Sequence, residues 1–235
     1  DSIKHKKIMV TYDSLDKILP SIEAPEWKIM IDEYHLLFTQ YSFRRDAVQT
    51  VLDNYKQFKS FCFLTATVLE DDFILEELKD VQVVRAAWEE VREVFVESVR
   101  CEVDVVATTA KTIQEHLSGE IEGNAYIFVN SIEFIKDLIK ACNLTDDNTR
   151  VIYSKNNKTQ LTISRGATMD KPKKINLLTS TVFEGADLYD EDGRTYIVSD
   201  NKKQHTLTDI STSFQQIAGR IRNTKYWNQL THIFS

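Results

Sequence analysis

Two adjacent acids, Asp32 and Glu33, are the residues best suited to chemistry, and they directly follow a short run of β-forming residues. Apolar side chains at Ile29, Met30 and Ile31 fall on both faces of that run, which is typical of a buried strand in a parallel sheet. Ligands bind at the carboxyl ends of such strands in open α/β sheets. Two carboxylates at that edge form a hard oxygen site suited to a magnesium ion that is shared with phosphates.

The same pair also has a plainer explanation. Asp-Glu pairs at strand ends commonly do nothing beyond solvation or capping of the helix that follows. The pair therefore becomes informative only if other parts of the chain carry matching chemistry.

Composition sets the broad class of the protein. At 235 residues, 42% hydrophobic and 28% charged, the chain is long enough for one large soluble domain or two of ordinary size. No apolar run approaches the length of a membrane-spanning helix, so we expect no membrane partner, and we expect a monomer. Three scattered cysteines without metal-ligand spacing indicate a reduced, cytoplasmic setting. A net charge of -7 argues against a protein that coats nucleic acid with its whole surface, but it does not exclude a local basic groove.

Strands and helices alternate in the first part of the chain. The predicted elements are a strand over 8–12, a short helix ended by Pro20, the strand before Asp32, helices over 42–58 and 71–79, and strands over 61–64 and 81–85. A strand, then a helix, then a strand is the parallel crossover unit. The acid pair and Thr65, which follows the next strand, are therefore expected at one edge of a sheet.

Residues 89–106, acidic and rich in β-formers, break this alternation and are interpreted as a junction. The resulting prediction is two domains, residues 1–88 and 89–235. The second domain repeats the pattern with a helix over 111–117, a strand over 125–129, a helix from Ser131 to Cys142, strands over 150–153 and 194–199, and a helix over 213–223.

The ends of these elements carry ordered motifs that resemble those of superfamily 2 helicases. Asp32-Glu33-Tyr34-His35 resembles motif II, the Walker B box, and Thr65-Ala66-Thr67 resembles motif III. The strand and helix around Ser131 resemble motif IV, Thr179 to Asp187 resembles motif V, and Gln216 to Asn223 resembles motif VI, which bears the arginine finger. Thr11-Tyr12 resembles the motif just upstream of the Walker B strand. Ordered matches along nearly the whole chain are far more specific than any one of them.

The resemblance implies an α/β protein with two RecA-like lobes, each a parallel sheet flanked by helices. None of the six glycines is followed by Lys-Ser or Lys-Thr, so the sequence has no phosphate-binding P-loop. Because that loop lies upstream of motif II in helicases, we expect the first lobe to be incomplete at its N-terminus and the chain to be a fragment.

The resemblance also implies roles for individual residues, with ATP and Mg²⁺ as cofactors and a nucleic acid, DNA rather than RNA, as partner. In the first domain Asp32 and Glu33 are the expected metal ligands, Glu33 is also the expected general base, and His35 would connect motif II to the other motifs. In the second domain the expected nucleotide-site residues are Gln216, Arg220, Arg222, Gly185 and Asp187. The expected nucleic-acid contacts are Thr11, Tyr12, Thr65, Ser131 and Thr179. Basic stretches at Lys155–Lys158 and Lys171–Lys174 add an expectation of salt-sensitive binding.

The second arginine of motif VI stands one residue earlier than in many family members, at Arg222 with Asn223 after it, so the sequence leaves open which arginine is the finger. Three functions fit these patterns. The first is a fragment of an ATP-dependent helicase or translocase, and the second is a helicase-like binding or regulatory module without its own ATPase activity. The third, an unrelated α/β phosphohydrolase, leaves motifs III, V and VI unexplained.

Overall fold

The computed structural model describes residues 6–39, 41, 44–66, 74, 76–86, 93–102, 104–183 and 186–235. The chain divides into two compact units, Asp1–Val84 and Arg85–Ser235. This division falls four residues before the predicted junction of residues 1–88 and 89–235.

The first unit is built on one parallel crossover. Its elements are α1 (Leu15–Ile18), β1 (Lys28–Ile31), α2 (Leu36–Thr39), α3 (Arg45–Asn54) and β2 (Ser60–Phe63), joined by short 3-10 turns. β1 and β2 pair in parallel, with Ile31 opposite Phe63, as the strand–helix–strand pattern predicts. A small core of Ile31, Leu37, Val48, Val51 and Tyr55 joins α3 to the strands.

Two predicted strands of the first unit are wrong. Residues 8–11 have no regular structure, and Met9 is almost fully exposed; the segment continues into a 3-10 turn, Tyr12–Ser14. Residues 81–86 likewise form no strand. The predicted helix over 71–79 falls largely outside the described residues, which show a 3-10 turn at Glu76–Leu78.

The second unit is a six-stranded sheet in which every pairing is parallel. Its strands are β3 (Phe95–Arg100), β4 (Asn124–Phe128), β5 (Thr149–Ile152), β6 (Ile175–Leu178), β8 (Gly193–Ser199) and β10 (Gln229–Phe234), in the order β3-β10-β8-β4-β6-β5. Helices α4 (Val105–Ser118) and α5 (Ile132–Cys142) cover one face. The short α6 (Gln215–Ala218) lies on the other. The predicted α/β fold, a parallel sheet flanked by helices, is confirmed for this unit.

Alternation along β4 explains why both faces are buried. Ala125 and Ile127 pack with α4 and α5, whereas Tyr126 and Phe128 pack with the core on the α6 side. Such apolar strands are stable only between two layers. The helix termini are capped as expected: the Ser131 side chain accepts a hydrogen bond from the backbone N–H of Phe134 at 3.2 Å.

The predicted helix over 213–223 is wrong in its second half. A π-helical turn at Ile210–Phe214 leads into α6, which ends at Ala218, before Gly219. The chain then forms the two-residue strand β9 (Ile221–Arg222), which pairs in parallel with β7 (Leu188–Tyr189). The two arginines of the predicted motif VI therefore do not share a helix.

Candidate functional site

Backbone hydrogen bonds bring the predicted motifs II and III together at the carboxyl edge of the first unit. Leu64 N–H donates to Ile31 C=O at 2.8 Å, and Tyr34 N–H donates to Leu64 C=O at 2.9 Å. These bonds continue the parallel pairing past the ends of β1 and β2. The loop that carries the acid pair therefore lies beside the residues that follow β2.

His35 is the buried centre of this site. Its side chain is 1% exposed, and its Nδ1 lies 2.9 Å from Thr65 Oγ1 and 3.4 Å from Glu33 Oε2. Burial lowers the pKa of His35, and the opposing effect of the Asp32 carboxylate is smaller. The imidazole is therefore neutral near pH 7, and its contact with Glu33 is polar rather than a full ion pair.

The acid pair itself has an uncommon backbone conformation. Glu33 has φ 51°, in the left-handed region that residues other than glycine seldom adopt. Its N–H donates to Asp32 Oδ1 at 3.0 Å, while the Asp32 side chain is exposed to solvent. This turn points the two carboxylates differently, Asp32 towards solvent and Glu33 towards His35.

This donor set fits Mg²⁺ held mostly through water. Among the described residues no group of three or more His, Cys, Asp or Glu side chains could enclose a metal ion. Magnesium commonly uses only one or two protein carboxylates together with waters and substrate phosphates. An exposed Asp32 beside a partly exposed Glu33 meets that requirement.

Thr11 and Tyr12, which were predicted to contact nucleic acid, have different positions. Thr11 is exposed and donates a hydrogen bond to Ser14 Oγ at 3.2 Å. Tyr12 is partly buried, and its hydroxyl donates to the backbone carbonyl of Asp32. Tyr12 therefore belongs to the acid-pair site.

In the second unit, the predicted motif V and VI residues form one cluster. Arg220 donates to the side chain of Gln216 at 2.8 Å, to the Gln216 carbonyl at 2.8 Å and to the Ala186 carbonyl at 3.1 Å. Arg222 pairs with Asp187, with Nε and Oδ1 2.8 Å apart. The pairing of β7 with β9 puts Asp187 next to these arginines, whereas Gly185 lies outside the described residues.

Ser131 and Thr179 line a polar cleft of about 270 Å³ at the carboxyl edge of the six-stranded sheet. The chain leaves the adjacent strands β4 and β8 in opposite directions, towards β5 and β10, and such a switch point is where open α/β sheets bind ligands. Hydroxyl and amide groups make up most of the remaining lining, which also contains an apolar side chain, an imidazole and one carboxylate: Asn130, Ile132, Glu133, Ser154, Asn157, Ser180, Thr181 and His205. Donors of this kind suit phosphate and sugar oxygens.

Sequence reasoning missed several of these lining residues. Asn130 could have been found, because it follows directly after the predicted strand over 125–129. Ser180 and Thr181 could have been found because they stand next to Thr179 in the predicted motif V. No such signal marks His205, which belongs to the loop after β8 and whose carbonyl accepts a hydrogen bond from Asn130 at 2.9 Å.

The two basic stretches lie at opposite edges of the sheet. Ser154 and Asn157 of the loop after β5 line the cleft, so Lys155 and Lys158 stand at the carboxyl edge. Lys174 instead precedes β6 and donates to the Gly123 carbonyl at 2.8 Å, at the amino edge. Only the first stretch can supplement the cleft with positive charge.

A larger depression of about 700 Å³ lies at the amino ends of β3, β8 and β10. It contains none of the residues predicted for a site. It lies away from the carboxyl edge where parallel sheets bind ligands, so its size does not make it the better candidate.

No protein-family model matches the chain, and no curated protein sequence does so either. Solved structures that resemble it include the yeast DEAD-box splicing factor Prp28 and the RNA helicase Prp28 from Chaetomium thermophilum bound to ADP. The sequence identities are 16% and 15% and the TM-scores 0.36 and 0.37, with 95% of this chain aligned in each case. The alignments cover 48% and 51% of those chains, so this chain spans about half their length. At these values the likeness says nothing about activity.

No helix in the described part of the chain is both long enough and apolar enough to cross a membrane.

Proposed function

We propose that this chain is part of an ATP-dependent superfamily 2 helicase or translocase, which couples ATP hydrolysis to movement on nucleic acid. The observation that carries the proposal is the contact of His35 with Glu33 and Thr65 across two parallel strands. It joins an acid pair suited to a nucleotide site to the residues after the neighbouring strand. The ordered motifs of the sequence supply the reaction class.

In this proposal the acid pair prepares the attacking water. Asp32, exposed at the sheet edge, would hold magnesium, which supplies positive charge at the phosphates when it is bound. Glu33 accepts the proton of the water or orients it. Neutral His35 contacts both the Glu33 side chain and Thr65, so its imidazole ring connects the acid pair to the residue that follows β2.

The second unit has its own cation suited to a phosphate, Arg220, which lies beside Gln216. The Gln216 side chain and carbonyl hold Arg220, so the orientation of its guanidinium is fixed by neighbouring residues. Arg222 is paired with Asp187 and must release it to reach a phosphate. We therefore assign the finger to Arg220 and expect Arg220→Ala to abolish hydrolysis, with a smaller loss in Arg222→Ala.

The cleft of Ser131 and Thr179 is the proposed site for the nucleic-acid backbone. Its hydroxyls and amides recognise phosphate and sugar without reading bases, which suits a motor that moves along any sequence. The sequence-based expectation of DNA rather than RNA stays a prediction, and competition between the two polymers of matched length and sequence tests it.

A second candidate is a helicase-like binding or regulatory module without its own ATPase activity. It is favoured by one observation: no glycine of this chain precedes a Lys-Ser or Lys-Thr pair, so the phosphate-binding loop is not encoded here. An active motor would need a phosphate-binding loop from residues other than these 235.

The deciding experiment measures nucleic-acid-stimulated ATP hydrolysis by the full-length gene product. Glu33→Gln keeps the size and hydrogen bonding of the side chain and removes its negative charge. It should leave ATP binding nearly intact and lower kcat by two or more orders of magnitude, a barrier increase of about 3 kcal/mol or more.

Glu26→Gln is the matched control, since Glu26 is an exposed acid of the same unit that precedes β1 and should not change kcat. Wild-type hydrolysis in Glu33→Gln would refute the assignment of the acid pair. A wild-type protein that binds nucleic acid but hydrolyses no ATP would instead support the binding module.

A further inference from the structure

Tyr12 is anchored where it can act on the acid pair. It opens the 3-10 turn Tyr12–Ser14, and Asp13 in that turn forms an ion pair with Arg44 at the start of α3. The turn is therefore tied to the helix that crosses between β1 and β2. From this position the Tyr12 hydroxyl donates to the Asp32 carbonyl.

The bond acts on the peptide group that joins the two acids. The carbonyl of this peptide belongs to Asp32 and accepts from Tyr12, while its N–H belongs to Glu33 and donates to Asp32 Oδ1 at 3.0 Å. Both polar groups of the peptide thus have partners, and its plane is held from both sides. Glu33 takes its left-handed φ of 51° directly after this peptide.

A residue other than glycine keeps such a conformation only when its surroundings impose it. His35 contacts the Glu33 side chain, but a side-chain contact does not fix the peptide before it. Tyr12 supplies this constraint from a different segment of the chain.

We propose that Tyr12 is a positioning residue for hydrolysis: its hydroxyl holds the Asp32–Glu33 peptide so that the Glu33 carboxylate faces the attacking water. This inference rests on the proposed function and gives Tyr12 a role other than the nucleic-acid contact that its sequence motif predicts. The Tyr12 ring is partly buried, and burial and the charges of Asp32 and Glu33 raise the pKa of its hydroxyl. The hydroxyl therefore remains a proton donor throughout the physiological pH range.

The first test needs no nucleotide and uses the 235-residue chain. Tyr12→Phe removes only the hydroxyl, and we expect amide hydrogen exchange at Glu33 to become at least tenfold faster. Exchange at Val51, in the buried part of α3, should stay unchanged and report that the unit remains folded. Unchanged exchange at Glu33 would overturn the proposal.

The second test uses the full-length gene product and measures ATP hydrolysis and nucleic-acid binding together. Tyr12→Phe should lower kcat about tenfold, with KM for ATP and Kd for nucleic acid each within twofold of wild type. A general loss of structure would change all three quantities. Incorporating 4-aminophenylalanine at position 12 restores a donor at the same place and should recover most of kcat.

Tyr41→Phe is the control, because Tyr41 is an exposed tyrosine of the same unit. If Tyr12→Phe raises the Kd for nucleic acid and leaves kcat unchanged, Tyr12 acts as a nucleic-acid contact and the proposal is wrong. Wild-type kcat in Tyr12→Phe together with a severe loss in Glu33→Gln would refute the role of Tyr12 alone. Wild-type kcat in Glu33→Gln would refute the proposed function itself.

Discussion

The two units use equally apolar strands but bury them to different degrees. β4, β5 and β6 are buried along nearly their whole length, between α4 and α5 on one face and the α6 side on the other. In the first unit, Met30 on β1 is 67% exposed and Phe61 on β2 is 36% exposed. The described residues of the first unit thus cover only one face of its sheet. Its strands nevertheless have apolar residues on both faces, as in a sheet packed between two layers.

This difference changes how each unit holds its candidate site. Packing fixes the backbone positions of Ser131 and Thr179, because the strands before them are buried on both faces and leave no other register; hydrogen bonds then orient their side chains. The acid pair depends instead on individual polar contacts, from Tyr12 to Asp32 and from His35 to Thr65. Sites of the second kind should be more sensitive to the loss of single hydrogen bonds.

Truncation of one phenylalanine in each unit should give the largest measured difference between them. Phe128 is fully buried beside Phe183, so Phe128→Ala should cost about 3–5 kcal/mol of unfolding free energy. Phe61 is partly exposed and contacts Tyr55 edge-on at 4.8 Å, so Phe61→Ala should cost only about 1 kcal/mol. Hydrogen exchange followed by mass spectrometry reports each unit separately, and equal losses would contradict the comparison.

Strands were predicted more accurately from the sequence in the second unit, where they are well buried, than in the first unit. The strands at β4, β5 and β8 and the Ser131 cap were predicted because hydrophobic pattern and burial agree there. The strand over 8–12 failed because apolar residues without a neighbouring strand to pair with do not form a sheet.

At the site, residue types were easier to predict than local conformations. The spacing of Arg220 and Arg222 was interpreted as one helix, but Gly219 ends the helix and Ile221 pairs with Leu188. That pairing is a long-range contact, so the local sequence around Arg220 and Arg222 does not predict it. The bond from Tyr12 to Asp32 is equally non-local, so the sequence showed a Thr-Tyr motif but not its partner.

The separation of the basic stretches allows a test of whether the second unit carries the nucleic-acid site at one edge. Lys155→Ala with Lys158→Ala removes two charges beside the polar cleft. Each lost phosphate contact should lower the salt slope of binding by about 1, so the double variant should lower it by about 2. Fluorescence anisotropy with a labelled single strand over a range of salt concentrations measures this slope.

Lys140→Ala with Lys171→Ala is the charge-matched control. Both lysines are exposed and lie towards the amino edge, at the end of α5 and before β6. The control should change the salt slope of binding by less than half as much as Lys155→Ala with Lys158→Ala does. If the two double variants weaken binding equally, attraction is a property of overall charge and the carboxyl-edge site is wrong.

The smallest effect we expect is a pH dependence of the second unit through His116. This histidine is fully buried, with Nδ1 3.1 Å from the Gly123 carbonyl and Nε2 2.8 Å from the Tyr196 hydroxyl. A carbonyl only accepts, so Nδ1 carries the proton and Nε2 accepts from Tyr196.

Burial has the largest effect and lowers the pKa of His116. The hydrogen bond with the Gly123 carbonyl opposes it, whereas Lys174 and Arg194 lower the pKa further, each by more than Glu115 raises it. The unfolded chain therefore binds the proton more readily, with a histidine pKa of about 6.5. The stabilisation is complete above that pH and is lost as the pH falls below it, by at most about 1.4 kcal/mol per pH unit for one proton. His116→Gln should flatten the pH dependence of α4 amide exchange between pH 7.5 and 5.5, whereas His205→Gln, in an exposed loop, should leave it as in the wild type. An unchanged slope in His116→Gln would show that the buried ring is not what makes the second unit sensitive to acid.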